Sequence, residues 1–328
     1  MTLYTERQQG SRLQDFLEAN AHVLSIALFL VACCAFFTVL NDVFLSPGNL
    51  LNLLRQAAPT LIVAVAMTFV ITTGGIDLSV GSIIALVNAV AAILLRDGWD
   101  WPIVSVLMIV LGALIGTFQG YFIAYQRIPA FIVTLAGLSA IRGVALVLTG
   151  GFSILIPPSL FLTLGRGTLL GIPLPALLGL VVAVVGYVVL TSTVYGRRVC
   201  AVGANTEAAR RVGMPAKRIL LSVYVWSGGA AALAALVIAA RLGSGSSNAA
   251  VGMELDVIAA VVLGGTSLAG GRGTMLGTVL GALTISVIGN GLILAHIDAF
   301  YTQIVTGSII LIAIWLNMRI FDRGGGKR

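Results

Sequence analysis

Residues 23–40 read VLSIALFLVACCAFFTVL, an apolar run without a single charged side chain. Similar uncharged runs occupy residues 177–190 and 304–316. A helix of about 20 apolar residues crosses a hydrocarbon layer of about 30 Å. Because lipid offers no hydrogen bonds to the backbone, a spanning segment must pair its own N–H and C=O groups, as a helix does. The runs therefore predict membrane-spanning helices rather than the two soluble domains that a length of 328 residues would suggest.

The composition of the whole chain agrees with this prediction. Hydrophobic residues make up 59% of the chain, charged residues make up 9%, and the mean hydropathy is +1.06, whereas a water-soluble domain carries about 25% charged residues. A membrane β-barrel would alternate polar and apolar residues, which this chain does not do. The net charge of +7 does not indicate a nucleic-acid partner, because in a membrane protein the positions of the basic residues report orientation.

The apolar segments predict an all-α polytopic membrane protein of about ten transmembrane helices. The helices are predicted near residues 22–41, 57–74, 79–95, 101–125, 129–149, 173–193, 218–240, 255–269, 274–294 and 300–318. They form a single transmembrane domain over residues 22–318, with tails at 1–21 and 319–328. An even number of helices places both tails on one side. Fourteen Lys and Arg residues fall on that side and four on the other, so the termini are predicted to be cytoplasmic.

Two glycine stripes indicate an internal repeat. The fourth predicted helix carries Gly112, Gly116 and Gly120, and the ninth carries Gly273, Gly277 and Gly281. A glycine at every fourth position lies on one helix face and lets another backbone approach closely, so these six residues are predicted to serve close helix packing. The stripes are 161 residues apart, and the same offset carries the second helix onto the seventh. Helices 2–5 and 7–10 are therefore predicted to be inverted repeats.

The basic loop 194–218 contains a short helix whose two ends are both specified. Asn205 can cap its start, and Gly213 can stop it. Between them lie Glu207 in the first turn, Ala208, Ala209, the basic pair Arg210 and Arg211, and Val212. Ala208, Ala209 and Val212 are predicted to form a small apolar knob that docks into another protein. The alternative is a basic cytoplasmic loop that only fixes orientation.

The segment Glu207-Ala208-Ala209-x3-Gly213 resembles the coupling-helix motif of ABC importer permeases. In that family this loop engages a cytoplasmic ATPase. The resemblance implies that Asn205, Glu207, Ala208, Ala209, Arg210, Arg211 and Gly213 couple this chain to such an ATPase.

Residues 74–82, GGIDLSVGS, break the apolar pattern between the second and third predicted helices. The glycines Gly74, Gly75 and Gly81 permit non-helical backbone, and Asp77 or Ser79 can cap the helix that follows. Asp77 is thus either a cap in a cytoplasmic turn or part of a gate near the cytoplasmic mouth of a pathway. The polar residues Asn88, Gln119 and Asn290 are candidates for lining such a pathway, or for hydrogen bonds between helices.

Together with residues 264–274, GGTSLAGGRGT, the string at 74–82 resembles the ribose, xylose, arabinose and galactose branch of bacterial ABC permeases. The resemblance implies an inner-membrane permease that translocates a monosaccharide and pairs with a second permease, identical or not. It also implies a cytoplasmic ATPase that holds ATP and Mg²⁺, and a periplasmic sugar-binding protein. A related branch transports branched-chain amino acids, but the string GGIDLSVG favours sugar.

Other classes of function fit the sequence less well. The chain lacks a Gly-x4-Gly-Lys-Ser/Thr loop, so ATP hydrolysis is expected on a partner and no cofactor is expected in this chain. An ion-coupled secondary transporter would carry ionisable residues deep in its spans, whereas only Arg142 is clearly interior, with Asp256 a conceivable partner. A serine hydrolase using Ser267 and His296 would need these residues on one side of the membrane, and the predicted helices place them on opposite sides. Neither histidine has neighbours at metal-ligand spacing, so no metal is predicted.

Overall fold

The computed structural model describes residues 21–298 together with residues 301, 304, 307, 308 and 311. Most of the predicted tenth helix near 300–318 and most of both tails lie outside the described residues, so the limits of the domain stay predictions. Within the described part, every predicted helix from the first to the ninth corresponds to a helix. The all-α polytopic class predicted from the sequence is confirmed.

The helices form a bundle, and the short strands lie in two of the segments that connect the long helices. The helices are α1 (Ala21–Leu40), α2 (Pro47–Thr72), α3 (Val80–Arg96), α4 (Trp101–Ala124), α5 (Ala130–Thr149), α6 (Thr163–Arg166), α7 (Leu174–Ser192), α8 (Val194–Ala204), α9 (Thr206–Arg211), α10 (Ala216–Leu242), α11 (Met253–Leu263) and α12 (Met275–Leu294). The strands are β1 (Ile154–Leu155), β2 (Thr168–Leu169), β3 (Ile172–Pro173) and β4 (Ser244–Gly245), and a 3₁₀ turn covers Leu160–Leu162. β1 pairs antiparallel with β4, and β2 with β3.

Helix lengths separate complete spans from partial ones. Seven of the described helices, namely α1, α2, α4, α5, α7, α10 and α12, are long and apolar enough to cross a membrane. α3 has 17 residues and α11 only 11, which corresponds to about 16 Å for α11 and reaches about half-way across the hydrocarbon layer. The predicted span at 255–269 was therefore too long. The apolar pattern continues beyond Leu263, but Gly265, at φ +87°, ends the helix.

The start of α2 also differs from the prediction, because the helix begins ten residues earlier than residue 57. The Ser46 side chain accepts a hydrogen bond from the Asn49 N–H at 3.3 Å, and Pro47 occupies the first helical position, where its missing N–H costs nothing. Asn49 and Asn290 exchange two amide hydrogen bonds, at 2.9 and 3.0 Å, which tie this first turn to α12. Sequence hydropathy missed the extension because Asn49, Asn52, Arg55 and Gln56 interrupt its leucines.

The centre of the bundle is formed by α2, α3 and α10, most of whose side chains are buried. α1, α4, α5 and α7 instead turn large apolar side chains outward, among them Leu28, Phe118, Val147 and Val181. The outward helices are more apolar than α2 and α10. This is the gradient expected where lipid, rather than water, surrounds the protein.

Glycines let the backbones of neighbouring helices meet directly. A Cβ on Gly112 or Gly116 would overlap backbone carbonyl oxygens of α10, and one on Gly120 would lie 3.0 Å from the Leu221 carbonyl oxygen. The second stripe behaves in the same way. A Cβ on Gly277 or Gly281 would overlap carbonyl oxygens of Gly264 and Ala260, and one on Gly273 would overlap the Thr72 hydroxyl. Both stripes thus lie at contacts that no side chain could fill.

The helix contacts have the pattern that the predicted inverted repeat requires. α4 packs on α10, and its repeat counterpart α12 packs on α2. α3 packs on α10, and its counterpart α11 packs on α2. Each helix contact of the first half therefore has a corresponding contact in the second half, which supports the repeat. The inversion of the halves across the membrane stays a prediction.

Two adjacent glycines of α10 provide a test of this packing. A Cβ on Gly228 would overlap the Gly112 carbonyl oxygen, whereas a Cβ on Gly229 would have no neighbour within 4 Å. We expect Gly228→Ala to lower the free energy of unfolding by about 1–3 kcal/mol through overpacking. Gly229→Ala should leave stability unchanged or raise it by less than about 1 kcal/mol through helix propensity. Thermal unfolding of the detergent-solubilised variants measures both; equal unfolding temperatures would contradict the proposed contact.

Candidate coupling and gating site

The loop predicted at 194–218 folds into two consecutive helices, α8 and α9, ahead of the start of α10. The Thr193 hydroxyl caps α8 by accepting a hydrogen bond from the Gly196 N–H at 3.2 Å. Val199 and Val202 on α8 are fully buried. Sequence reasoning missed this helix, although the cap at Thr193 and the apolar residues Tyr195, Val199 and Val202 at helical spacing were its signal.

α9 has the two specified ends that its sequence predicts. The Asn205 side-chain oxygen accepts the Ala208 N–H at 2.9 Å. At the other end Gly213 adopts φ +81°, its N–H donates to the Arg210 carbonyl at 3.0 Å, and the Met214 N–H donates to the Ala209 carbonyl at 3.0 Å. These two bonds form a Schellman motif, in which the left-handed residue is usually glycine. The short helix is therefore held by its caps.

The outward face of α9 differs in one residue from the predicted apolar knob. Ala208 and Val212 are exposed, and Val212 is 73% exposed, but Ala209 is buried against the core of this chain. The prediction that Ala209 faces a partner was wrong, because the helix must itself rest on the protein and uses this small residue to do so. We call Ala208, Arg211 and Val212, which lie at i, i+3 and i+4, the docking face.

The remaining polar residues of α9 are exposed beside the docking face. Glu207 and Arg210 form an ion pair at 3.4 Å, and both side chains are well exposed. Such a pair contributes little stability in water. Its charges, like that of Arg211, stay available to a partner surface.

The end of α8 meets two other segments through backbone atoms alone. The Gly271 N–H donates to the Thr72 carbonyl, the last residue of α2, at 2.8 Å. A Cβ on Gly203 would overlap that same carbonyl oxygen, and a Cβ on Gly270 would lie 2.8 Å from the Gly203 carbonyl oxygen. Gly270 and Gly271 both have positive φ, near +80°. We call Thr72, Gly203, Gly270 and Gly271 the backbone junction, which joins α8, α2 and the loop 264–274.

The turn that follows α2 carries a buried carboxylate. Asp77 is fully buried; its Oδ1 accepts hydrogen bonds from the Ser79 N–H at 3.0 Å and the Ser79 hydroxyl at 2.6 Å, and its Oδ2 accepts one from the Ser227 hydroxyl of α10 at 2.7 Å. Asp77 makes no ion pair within the described part of the chain. It does cap the turn before α3, as one of the two interpretations predicted, but it does so inside the bundle. Its bond to Ser227 ties this turn to α10.

Gln119 of α4 and Tyr224 of α10 complete this buried polar cluster. The Ser79 hydroxyl lies 3.0 Å from the Gln119 Oε1 as well as close to Asp77. One hydroxyl proton cannot serve two acceptors, so the hydrogen-bond chain is complete only when the Gln119 amide group donates to Ser79. In the described part of the chain, Gln119 Nε2 and the Tyr224 hydroxyl are buried without a hydrogen-bond partner. The cluster thus keeps unused hydrogen-bonding capacity.

The glycines of residues 74–81 make room for these contacts. Gly74 adopts φ +80° at the turn after α2. A Cβ on Gly75 would overlap the Tyr224 hydroxyl, and a Cβ on Gly81 would overlap the Glu254 carboxylate of α11. Glycine is therefore required at positions 75 and 81, because the side chains of Tyr224 and Glu254 approach the backbone closely there.

The other candidate pathway amides are used between segments. The Asn88 side chain donates to the Ala235 carbonyl at 3.3 Å and accepts the Ser246 N–H at 2.7 Å. Asn290 is paired with Asn49, as described above. In this conformation both amides make the interhelical hydrogen bonds that were one of their two predicted roles.

Arg142 holds the segment that precedes α11. Its guanidinium donates to the carbonyls of Ser247 at 2.7 Å and Ala249 at 2.9 Å. Asp256, the partner considered from the sequence, makes no ion pair with Arg142 among the described residues, where carbonyls hold the guanidinium instead. Local sequence could not reveal this, because the contact joins α5 to residues about 105 positions away.

Comparison with known proteins places these features in a family. Residues 49–314 match the family described as branched-chain amino acid transport system / permease component. The chain is 41% identical to the ribose import permease protein RbsC of Bacillus subtilis (strain 168), over 96% of this chain and 98% of that protein. It is 35% identical to the xylose transport system permease protein XylH of Escherichia coli (strain K12), over 91% of this chain and 92% of that protein. It is 38% identical to the probable ABC transporter permease protein YphD of Escherichia coli (strain K12), over 95% of this chain and 94% of that protein. No solved structure matches the chain.

These relatives align over nearly their whole length, and the family covers all of the coupling and gating site. The resemblance to ABC permeases inferred from the motifs is confirmed. Together with seven apolar helices, it identifies a multi-pass protein of the inner membrane and a transport component rather than a catalyst. The chain belongs to the branched-chain amino acid transport system / permease component family and is a relative of the ribose and xylose permeases.

Proposed function

We propose that this chain is the membrane-spanning subunit of an ABC importer that translocates a monosaccharide, a pentose or hexose. ATP and Mg²⁺ bind to a separate cytoplasmic ATPase, and a periplasmic binding protein delivers the sugar. The observation that carries the proposal is the docking face on α9, a helix held by caps at both ends in a permease whose relatives are named for ribose and xylose. A second permease copy, identical or homologous, completes the pathway.

The proposed orientation places both termini and α9 in the cytoplasm. The basic residues support it, since fourteen Lys and Arg residues fall on that side and four on the other. Six of the fourteen lie between Arg197 and Arg218, in and around α8 and α9. An ATPase that binds the docking face therefore approaches from the side where ATP is available.

The backbone junction gives the docking face a direct path to the buried polar cluster. α9 follows α8 after Asn205, and the end of α8 rests on the carbonyl of Thr72. Contacts between backbones have no flexible side chain to absorb a displacement, because packed interiors transmit strain. A movement of α9 driven by the ATPase is thus expected to shift the end of α2, and with it the turn that carries Asp77.

We propose the buried polar cluster as the cytoplasmic gate. It joins the turn after α2 to α4 and α10 through hydrogen bonds of Asp77 and Ser79. Hydrogen bonds to a carboxylate are about twice as strong as neutral ones, so they hold the three segments together in the closed state. Gln119 keeps a buried side-chain atom without a hydrogen-bond partner, which makes it the best candidate among the predicted pathway amides to meet a sugar hydroxyl when the cluster separates.

The transport activity itself tests the function. The permease is reconstituted into proteoliposomes with its ATPase and binding protein, and ATP-dependent uptake of ribose, xylose and leucine is compared. We expect uptake of a sugar and none of leucine. Leucine uptake would favour the branched-chain amino acid branch, after which the family is described. Gradient-driven uptake by the permease alone would instead indicate a secondary transporter.

Two exposed valines at opposite ends of α10 test the docking face. Val212 precedes α10 and is 73% exposed; Val251 follows it and is 65% exposed, and the 27-residue helix between them spans about 40 Å. Because a charge buried at an interface is costly, we expect Val212→Glu to weaken ATPase association at least about tenfold. Val251→Glu, on the other side, should leave it unchanged. Pull-down of the co-expressed ATPase from mild detergent measures this, and equal recovery with both variants would remove α9 from the coupling mechanism.

Two substitutions of Asp77 separate folding from gating. Asp77→Leu leaves the Ser79 N–H and the Ser227 hydroxyl without their acceptor, which costs about 1–3 kcal/mol for each, so we expect a clearly lower unfolding temperature. Asp77→Asn keeps an oxygen towards Ser79, and its amide can donate to the Ser227 hydroxyl, so it should fold normally. Its neutral bonds are about half as strong, and we therefore expect raised ATPase activity of the complex without binding protein. Unaltered ATPase activity in a folded Asp77→Asn complex would contradict the gate.

A further inference from the structure

An apolar crevice of about 330 Å³ lies on the side of the bundle, between α2, α4, α7 and α10. Its wall includes Ile62 and Val65 of α2, Val185 and Gly186 of α7, and Trp226 and Leu233 of α10. Val185 and Trp226 are more than half exposed, so the crevice opens towards the surroundings of the bundle. Its volume is at the lower limit for a small-molecule pocket.

The floor of the crevice contains unfilled space. Gly229 of α10 lines it, and a Cβ at this position would have no neighbour within 4 Å. Most other glycines on the inner helices are, in contrast, pressed against a neighbouring backbone or side chain. The opening at Gly229 therefore admits a slender apolar group.

The lining of the crevice is apolar, but its Tyr195 end leads along α8 and α10 to polar and basic residues. Tyr195 of α8 lines this end, and its hydroxyl pairs with the Ser222 hydroxyl of α10 at 2.7 Å. Arg218 lies one helical turn, about 6 Å, before Ser222 along α10, and Arg198 lies three residues after Tyr195 on α8. Both arginines are exposed and make no ion pair within the part of the chain that the structure describes. Arg218, Ser222, Trp226 and Leu233 thus form a face of α10 that changes from basic to apolar.

We propose that this crevice binds an anionic phospholipid of the cytoplasmic leaflet. One acyl chain fills the apolar part along Trp226 and Gly229, and the headgroup phosphate binds Arg198 and Arg218. The charge complementarity argues for this occupant, because the cytoplasmic leaflet carries the anionic lipids and attracts basic residues at the membrane surface. The inference rests on the proposed orientation of α8, but it needs neither the ATPase nor transport.

The bound lipid would act on the coupling element. Its headgroup would bridge α8 and α10 beside the hydrogen bond between Tyr195 and Ser222, directly ahead of Asn205 and α9. α8 and α10, which already share the hydrogen bond between Tyr195 and Ser222, would gain a common ligand. Lipid composition is thereby expected to influence how rigidly the docking face is held.

Lipid binding to the purified full-length permease tests the proposal. Native mass spectrometry in mild detergent measures the affinities for phosphatidylglycerol and phosphatidylcholine in separate titrations. We expect wild type to prefer phosphatidylglycerol. The double variant Arg198→Gln, Arg218→Gln should weaken phosphatidylglycerol binding about 30-fold and remove the preference over phosphatidylcholine, since each basic residue near an anionic surface contributes about 1 kcal/mol.

Two further variants make the test specific. Arg127→Gln with Arg272→Gln removes the same charge from exposed residues on the same predicted side of the membrane, away from the crevice, and should keep the preference. Gly229→Leu fills the crevice without touching the protein around its Cβ, and should fold normally but lose tight binding of both lipids. The proposal would be overturned if the two double arginine variants lost affinity for phosphatidylglycerol equally. It would also be overturned if Gly229→Leu bound both lipids as tightly as wild type. A shift of Gly229→Leu from dimer to monomer would also overturn it, because a second copy would then occupy the crevice.

Discussion

Close contact between helix backbones is the constraint on which the rest of this structure depends. Lipid is as apolar as the side chains, so burial from water does not drive one spanning helix against another, and van der Waals contact at short range must do so instead. Gly112 and Gly116 on α4 meet Gly228 on α10, and Gly277 and Gly281 on α12 meet α11. These contacts fix α10 and α2 at the centre. The outward helices then need only present apolar side chains to lipid.

A bundle packed in this way can interrupt its helices only where other groups satisfy the exposed backbone. The turn after α2 is satisfied by Asp77, whose carboxylate receives three hydrogen bonds, and the loop 264–274 by bonds such as the one from Gly271 to Thr72. Non-helical backbone at such depth is tolerated where protein, rather than lipid, surrounds it. The two interruptions are also where α8 contacts the spanning helices. In the proposed mechanism, a displacement of α9 would therefore reach the bundle at these two interruptions, the turn after α2 and the loop 264–274.

The short helix α9 is likewise held in place by only a few residues. α9 is too short to be stable alone, and its caps at Asn205 and Gly213, together with the buried Ala209, fix its direction. In the proposed mechanism, α9 and the backbone junction move together with the end of α2. The proposed lipid between α8 and α10 would add a contact on the side of this element that meets α10 through the Tyr195 and Ser222 hydroxyls.

The sequence by itself determined the membrane class, the nine helices that correspond to predicted spans, to within a few residues at most ends, and the capped form of α9. These follow from composition, helical length and the conformational needs of residues such as Gly213, all of which are local. It also identified the family, because the strings at 74–82 and 264–274 are local patterns. Only the tertiary structure decided that Ala209 faces inward, that Asp77 pairs with Ser227 rather than with solvent, and that Arg142 binds backbone carbonyls. Each of these contacts joins helices far apart in the chain or depends on which face of a uniformly apolar helix is buried, and hydropathy carries no information about either.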